Sequence, residues 1–191
     1  MNDVPMDALP SSGEAIEATR LWLERAVIGL NLCPFAKAVQ RKGQVRYVVS
    51  EATQPLPLHA DLVRELELLR DTDPDAVDTT LLIHPGVLGD FMDFNEFLEV
   101  ADAAVADLHL EGDIQVASFH PDFQFEGTAV DDITNYTNRS PYPTLHLLRE
   151  ASIDRAVAAF PDASAIFATN METLEKLGHA GWRKLFEASG P

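Results

Sequence analysis

The spacing of hydrophobic residues changes along the chain, and each change marks a different kind of secondary structure. From residue 16 to residue 39, apolar side chains recur every three or four positions, which predicts helix. Pro34 interrupts this pattern, because proline lacks a backbone donor and disfavours a helical residue before it, so we expect a break at residues 31–33. Residues 1–13 show little periodicity and are predicted to be a flexible lead-in to a single domain over residues 14–191.

Beyond residue 43, short β-branched and apolar runs alternate with longer segments of helical period. The predicted strands are residues 45–49, 79–84 and 114–120, and the helices between them are centred on residues 58–69 and 91–108. Asp90 is placed to cap the second of these helices. Strands joined by helices of this length pair in parallel through right-handed crossovers. The sequence therefore predicts an α/β fold, a small sheet with a parallel βαβαβ core packed by helices.

The C-terminal part is predicted to be helical. One helix is expected from about residue 145 to 160, capped by Thr144, and another from about 163 to 177. A short amphipathic end around Trp182 and Phe186 is expected to pack back on the core.

Charge is strongly and unevenly distributed. The 31 Asp and Glu against 14 Lys and Arg give a formal net charge of −17, which disfavours nucleic acid and membrane surfaces as partners. Residues 54–113 hold 15 acidic and 2 basic side chains, whereas residues 20–46 hold 6 basic and 1 acidic. We interpret the acidic face as solvated surface. The alternative is an interface between the basic first helix and an acidic surface, within the chain or in a homo-oligomer.

The composition is typical of a soluble folded protein. It contains no apolar run long enough to span a bilayer, and its first residues lack the basic and apolar regions of an export signal. Cys33, as the one cysteine, cannot form an internal disulfide. We therefore expect a cytoplasmic location.

Two predicted strands end in the same dipeptide, His84-Pro85 and His120-Pro121. Because the carboxyl ends of parallel strands form the edge at which open α/β sheets bind ligands, we expect both imidazoles there. Asp122 adds a carboxylate that can orient a histidine acting as general base. Two histidines that only hydrogen-bond loop backbone at a strand end are the alternative.

Residues 121–143 have neither helical nor strand period. A segment of this length inside a compact domain is typical of a binding loop or lid. It carries Asn138, Arg139 and Tyr142, whose side chains are suited to binding a small anionic substrate. The alternative is an ordered proline-rich loop whose aromatic residues fill the core and whose arginine pairs with a surface carboxylate.

The helix predicted after Thr144 would place His146 and Arg149 on one face. With Arg139 and the helix N-terminus nearby, this corner is predicted to bind a phosphate or carboxylate. A surface helix joined by ordinary ion pairs is equally compatible with the pattern.

A metal site and a reactive thiol are further hypotheses. The ligand set for a divalent metal would be His84, His120, Asp122 and His146. Cys33 is predicted near a helix N-terminus, which favours the thiolate, although a buried inert thiol is the preferred interpretation. The sequence has no phosphate-cradling glycine loop and no dinucleotide fingerprint, so it gives no indication of a nucleotide cofactor.

Three segments resemble the bacterial and plant family catalogued as domain of unknown function 1415. They are residues 29–36 (GLNLCPFA), 117–122 (ASFHPD) and 138–149 (NRSPYPTLHLLR), and the resemblance extends over about residues 15–178. It implies no activity, cofactor or catalytic residue.

The sequence thus leaves two main classes of function. The first is an enzyme acting on a small anionic molecule by acid–base or metal-assisted chemistry, hydrolysis included, centred on His120 and Asp122. The second is a non-catalytic binding or assembly module, in which the 121–143 loop and the acidic helices dock another protein. A single-thiol enzyme that uses Cys33 is a third, less favoured hypothesis.

Overall fold

The computed structural model describes residues 9–158 and 165–187. The helices are α1 Ser12–Trp22, α2 Ala36–Arg41, α3 Pro55–Asp71, α4 Phe91–Asp107, α5 Glu150–Ala158 and α6 Ala165–Phe186. The strands are β1 Val45–Val49, β2 Thr79–Ile83, β3 Ile114–Phe119 and β4 Thr144–Arg149. A π-helical turn at Leu23–Ile28 continues α1, and a 3-10 turn spans Ile133–Thr137.

The first helix begins slightly earlier than the periodicity predicts. The Ser11 hydroxyl accepts the Glu14 N–H at 3.3 Å, while the Glu14 carboxylate accepts the Ser11 N–H at 2.9 Å. This reciprocal capping box satisfies two of the free donors of the first turn, so helix is already stable from Ser12. The rest of the predicted lead-in, residues 1–8, lies outside the described residues.

The four strands form one mixed sheet in the order β1-β2-β4-β3. β1 and β2 are parallel neighbours, as the β–α3–β crossover predicts. β4 is antiparallel to both β2 and β3, so β3 runs in the same direction as β1 and β2 but is separated from them. The α/β class is therefore confirmed, with one antiparallel strand inserted into the predicted parallel core.

The prediction of a helix from residue 145 to 160 is wrong in its first part, because residues 144–149 form β4. Leu145 and Leu147 alternate into the core and are fully buried, which is the period of a strand rather than a helix. Pro143 precedes them and favours extended backbone. Helix begins only at Glu150, and the predicted end at 159–160 lies outside the described residues.

The sheet is covered on both faces. One face packs on the leucines of α3 and the apolar stripe of α4, including the fully buried Phe94. The other packs on the cluster of Trp22, Leu23, Ala26 and Val27 from α1 and the π-helical turn. Trp182 and Phe186 join that second cluster, which confirms that the C-terminal end packs on the core.

Candidate functional site

His84 follows β2 and holds the loop that leads to α4. Its ring is fully buried, and its Nδ1 lies 3.0 Å from the carbonyl oxygen of Val87. A carbonyl only accepts, so Nδ1 carries the proton and Nε2 presents a lone pair. That Nε2 is a buried atom without a hydrogen-bond partner in the described part of the chain.

His120 follows β3 and binds the next peptide group of the same loop. Its Nδ1 accepts the backbone N–H of Asp122 at 3.0 Å, so the proton of the neutral ring sits on Nε2. Nε2 donates to the carbonyl oxygen of Leu88 at 3.1 Å. Like His84, His120 is fully buried. The two histidines thus clamp consecutive carbonyls of the β2–α4 loop.

The first aromatic residues of α4 hold the two rings together. The Phe94 ring stacks on His84 with 5.7 Å between centroids and lies 5.0 Å from His120. The Phe91 ring also contacts His120, with 5.4 Å between ring centroids. The expectation that both imidazoles meet at the carboxyl edge of the sheet is therefore realised in the geometry, around Phe94.

Burial keeps these imidazoles neutral. It lowers the pKa of His84 to about 4, and the bond to Val87 offsets only part of that effect. Burial also lowers the pKa of His120, opposed by the bond to Leu88 and by the carboxylates of Asp122 and Asp90. Both rings are neutral near pH 7.

The clamped loop contains a backbone conformation that a leucine rarely adopts. Leu88 has φ 57°, in the left-handed region, which costs a non-glycine residue about 1–2 kcal/mol. The hydrogen bonds from His84 to the Val87 carbonyl and from His120 to the Leu88 carbonyl hold this backbone in place and offset that cost. Asp90 then caps α4 by accepting the N–H groups of Met92 and Asp93, as the sequence predicts.

A shallow groove of about 360 Å³ opens beside this loop, between the start of α3 and the first turns of α4. It is lined by Pro55, Leu88, Asp93, Glu96, Phe97 and Val100. Leu88, the residue whose carbonyl His120 binds, is half-buried here. The groove therefore has a mainly apolar lining with two carboxylates.

The 121–143 loop is ordered by its own side chains. Arg139 donates to the carbonyls of Phe123 at 3.1 Å and Val130 at 2.6 Å, and its guanidinium lies over the Tyr136 ring. Asn138 donates to the Ser118 carbonyl. These contacts occupy the Asn138 and Arg139 side chains that the sequence assigns to a substrate, and Arg139 bonds to backbone carbonyls instead of the surface carboxylate expected in the alternative interpretation.

Two other loop residues differ in their surroundings. Tyr142 is half-buried, and its carbonyl accepts the hydroxyls of Ser140 and Thr144. Asp122 is exposed beside His120. Roles of both in substrate binding or catalysis stay predictions.

His146 and Arg149 do not share a helical face, because both lie on β4. His146 packs on the second face of the sheet, where its Nε2 lies 2.7 Å from the hydroxyl of Thr79 and its ring lies 5.8 Å from Phe119. Burial lowers its pKa to about 4. Arg149, three residues on, reaches the other face, so the predicted anion corner of Arg139, His146 and Arg149 does not form.

Arg149 instead caps the C-terminus of α3. Its guanidinium donates to the carbonyls of Leu69, Thr72 and Val77. The last carbonyls of a helix have no partner within the helix, and a cation there also complements the helix dipole. Arg149 thereby joins β4 to the end of α3.

The proposed metal ligands are divided between the two faces of the sheet. His84 and His120 contact α4 on one face, and His146 lies on the other. Within residues 9–158 and 165–187, no group of three or more His, Cys, Asp or Glu side chains is arranged to hold a metal ion. Cys33 is half-buried against the Trp22 cluster, before the short helix α2. Its reactivity stays a prediction.

Sequence reasoning missed the residues that connect the histidines to the surface. Phe91 and Phe94 fall in the helix predicted over residues 91–108, and Leu88 lies outside the predicted elements. The sequence carried one signal of them. The connection between β2 and α4 has only seven residues, 84–90, and ends in the Asp90 cap. A connection this short needs close backbone contacts. The positive φ of Leu88 has no signal in the sequence.

The fold and the site define an acidic α/β protein with a mixed four-stranded sheet and a buried histidine pair at one edge. Residues 14–184 match the family model described as protein of unknown function DUF1415. The chain belongs to this family. No curated protein and no solved structure matches it. None of the helices in the described ranges has the length and apolar character needed to cross a membrane.

Proposed function

We propose that this protein is a binding module whose α3–α4 groove docks a basic amphipathic helix of a partner protein. The observation that carries the proposal is the groove beside the histidine-clamped loop. Its volume is about 360 Å³, and its lining combines Leu88, Phe97 and Val100 with the carboxylates of Asp93 and Glu96. A partner helix lays apolar residues at positions i, i+3 and i+4 into such a groove.

Exposed apolar side chains lie on α3 and α4, the two helices that border the groove. Val100 is 41% exposed, Met92 62% and Leu56 79%. Met92, Glu96 and Val100 follow one another at four-residue spacing, so they share one face of α4. Clustered exposed apolar residues with a polar rim are typical of interaction sites.

Charge selects the kind of partner. The 17 residues of α4 include Asp93, Glu96, Glu99, Asp102 and Asp107 and no Lys or Arg. The ion pairs within the described ranges leave all five of these carboxylates unpaired with a cation. These carboxylates repel one another. A partner with Lys or Arg beside its apolar face reduces this repulsion, whereas an acidic partner increases it.

The histidines act in this proposal by position. His84 binds the Val87 carbonyl and His120 binds the Leu88 carbonyl, and Leu88 lines the groove. Both side chains are fully buried, which suits a clamp better than a base that must reach a substrate. The groove is then preformed, and a partner does not have to order it on binding.

The test is binding of model peptides to the full chain, followed by fluorescence anisotropy. The probe is a leucine–lysine peptide of about four helical turns with one apolar face. One control has the same composition in an order without an apolar face, and the other has glutamate in place of lysine. We expect saturable binding of the first peptide only.

Matched variants locate the binding surface. Met92→Ser combined with Val100→Ser is expected to weaken binding at least about tenfold, because apolar area in the groove is lost. Glu96→Gln is expected to weaken it several-fold. Val157→Ser and Glu111→Gln change exposed residues away from the groove and should leave affinity unchanged. Equal binding of the reordered peptide would show charge attraction alone, and equal losses in the control variants would show that binding is not located in the groove; either result contradicts the proposal.

An acid–base enzyme acting on a small anionic substrate is the second candidate, favoured by the lone pair of His84. Its Nε2 is buried without a hydrogen-bond partner among the described residues. In this candidate His84 and His120 move protons, Asp122 orients them, and Asn138, Arg139 and Tyr142 bind the substrate, with a divalent metal as an optional cofactor.

The two candidates are distinguished by what purifies with the protein. Elemental analysis and mass spectrometry of the native protein should detect a metal or a small anion if the second candidate is right. His84→Asn keeps a donor for the Val87 carbonyl but has no Nε2, so it should lose that ligand without unfolding. A protein that carries no ligand, and whose His84→Asn variant keeps its peptide affinity, contradicts the enzyme and agrees with the docking proposal.

A further inference from the structure

A second pocket, of about 200 Å³, lies at the opposite edge of the sheet from the histidines. It is formed where α3 ends, where β3 begins and where β4 passes into α5. Three arginines line it, Arg70, Arg149 and Arg155. They are three of only 14 Lys and Arg residues in a chain of net charge −17.

The three guanidinium groups are held by different partners. Arg149 is fixed by the backbone carbonyls at the end of α3. Arg155 donates through one Nη2 to the hydroxyl of Ser152, at 2.9 Å. Arg70 makes a forked pair with Asp71 at 2.7 and 2.9 Å. For Arg149 and Arg155, the Nη1 groups have no hydrogen-bond partner in the described ranges.

Arginine also outnumbers acid in the lining of this pocket. Asp113 is its lining carboxylate, while Asp71 is engaged by Arg70 and Asp78 accepts the Ser152 hydroxyl. The carbonyls that hold Arg149 leave its full positive charge in place. The lining therefore holds three guanidinium groups and one carboxylate, and the planar guanidinium donors match the oxygen geometry of phosphate and carboxylate groups.

We infer that this pocket binds a small dianion of phosphate size. Arg149 and Arg155 donate to its oxygens through their Nη1 groups, and Asp113 limits the affinity. The site is independent of the docking groove, since the two pockets share no lining residue. It differs from the anion corner predicted from the sequence, because it uses neither Arg139 nor His146.

The test is titration of the full chain with inorganic phosphate by calorimetry, with potassium chloride at matched ionic strength as the blank. We expect saturable heat with phosphate only. Arg155→Gln is expected to weaken binding about tenfold or more, the usual effect of losing a charged hydrogen bond. Asp113→Asn is expected to tighten it, because a repelling carboxylate is removed from the lining.

Two variants keep the inference falsifiable. Arg183→Gln removes an exposed arginine of α6 and should leave phosphate affinity unchanged, which separates a site from general charge attraction. Arg155→Lys keeps the positive charge but loses the planar, forked donors of the guanidinium group. Its phosphate affinity should lie between those of Arg155→Gln and the unchanged chain. No saturable heat in the unchanged chain, or equal losses in Arg155→Gln and Arg183→Gln, would overturn the inference.

Discussion

At the scale of single residues, the two histidines illustrate how a strand end can use an imidazole. Pro85 and Pro121 end the strands directly after the two histidines. Beyond the strand ends, each ring forms a hydrogen bond with a backbone carbonyl of the β2–α4 loop. His84 binds Val87 and His120 binds Leu88, so the rings donate the hydrogen bonds to loop carbonyls that backbone N–H groups donate inside the sheet. A neutral imidazole is suited to this, because it offers one donor and one acceptor.

Substitution of His120 should therefore reduce stability. His120→Ala leaves the Leu88 carbonyl and the Asp122 N–H without their partner and opens a cavity, which we expect to cost about 2–4 kcal/mol in the free energy of unfolding. His120→Gln keeps a donor for Leu88 and should lose clearly less. Urea denaturation measures both values, and a His120→Ala variant as stable as the unchanged chain would contradict the clamp.

The lowered histidine pKa values predict a loss of stability in mild acid. A histidine with a pKa of 6.5 in the unfolded chain and about 4 in the folded one binds protons preferentially when unfolded. Stability is therefore complete above about pH 6.5 and falls as pH is lowered toward 4, by up to about 3 kcal/mol for His84. His146 shifts in the same direction.

His84→Asn tests this linkage. The variant keeps the Val87 contact but cannot take up the proton, so the slope of stability against pH between 4 and 6.5 should fall by up to one proton. An unchanged slope would mean that other groups account for the acid sensitivity.

At the scale of elements, β4 is the part of the fold that sequence patterns misjudge. Its six residues contain leucines at spacings of two, three and one, so a helical and a strand period both fit. Its position between β2 and β3 is decided by tertiary pairing on both edges, which a single sequence does not display. The longer helices α3 and α4, with repeated apolar positions, are predictable because each carries several turns of one pattern.

Arg149 joins two of these elements, and its removal should loosen both. Arg149→Met leaves the carbonyls of Leu69, Thr72 and Val77 without their charged donor, which we expect to cost about 2–4 kcal/mol. Arg149→Lys keeps the charge but cannot fork to several carbonyls and should recover less than half of that loss. Thermal unfolding compares the two, and equal stability of Arg149→Lys and the unchanged chain would contradict the cap.

At the scale of the whole molecule, the sequence predicts where the histidine pair lies in the fold but not which groups its ring nitrogens contact. The repeated His-Pro dipeptide indicates that both imidazoles lie at one edge of the sheet, because strand direction follows from the crossovers. Whether the ring nitrogens face backbone or solvent depends on the path of the Val87–Leu88 loop. The division of His146 and Arg149 between two faces depends on β4, which the pattern of the segment leaves ambiguous.

The net charge of −17 should also be visible in the behaviour of the whole chain. Self-repulsion among carboxylates opposes the compact state, and salt screens it over about 10 Å at 0.1 M. We expect the unfolding temperature to rise as potassium chloride is increased to about 0.3 M, because residues 9–158 and 165–187 hold four ion pairs against a net charge of −17. A falling unfolding temperature would show that its ion pairs outweigh the repulsion.

The most direct test of the docking proposal is nuclear magnetic resonance mapping of the amphipathic leucine–lysine peptide on the isotope-labelled full chain. The account predicts saturable shifts that centre on Leu88, Met92, Glu96 and Val100 and leave the 121–143 loop unchanged. Shifts centred on that loop, or scattered over all acidic surfaces without saturation, would contradict it.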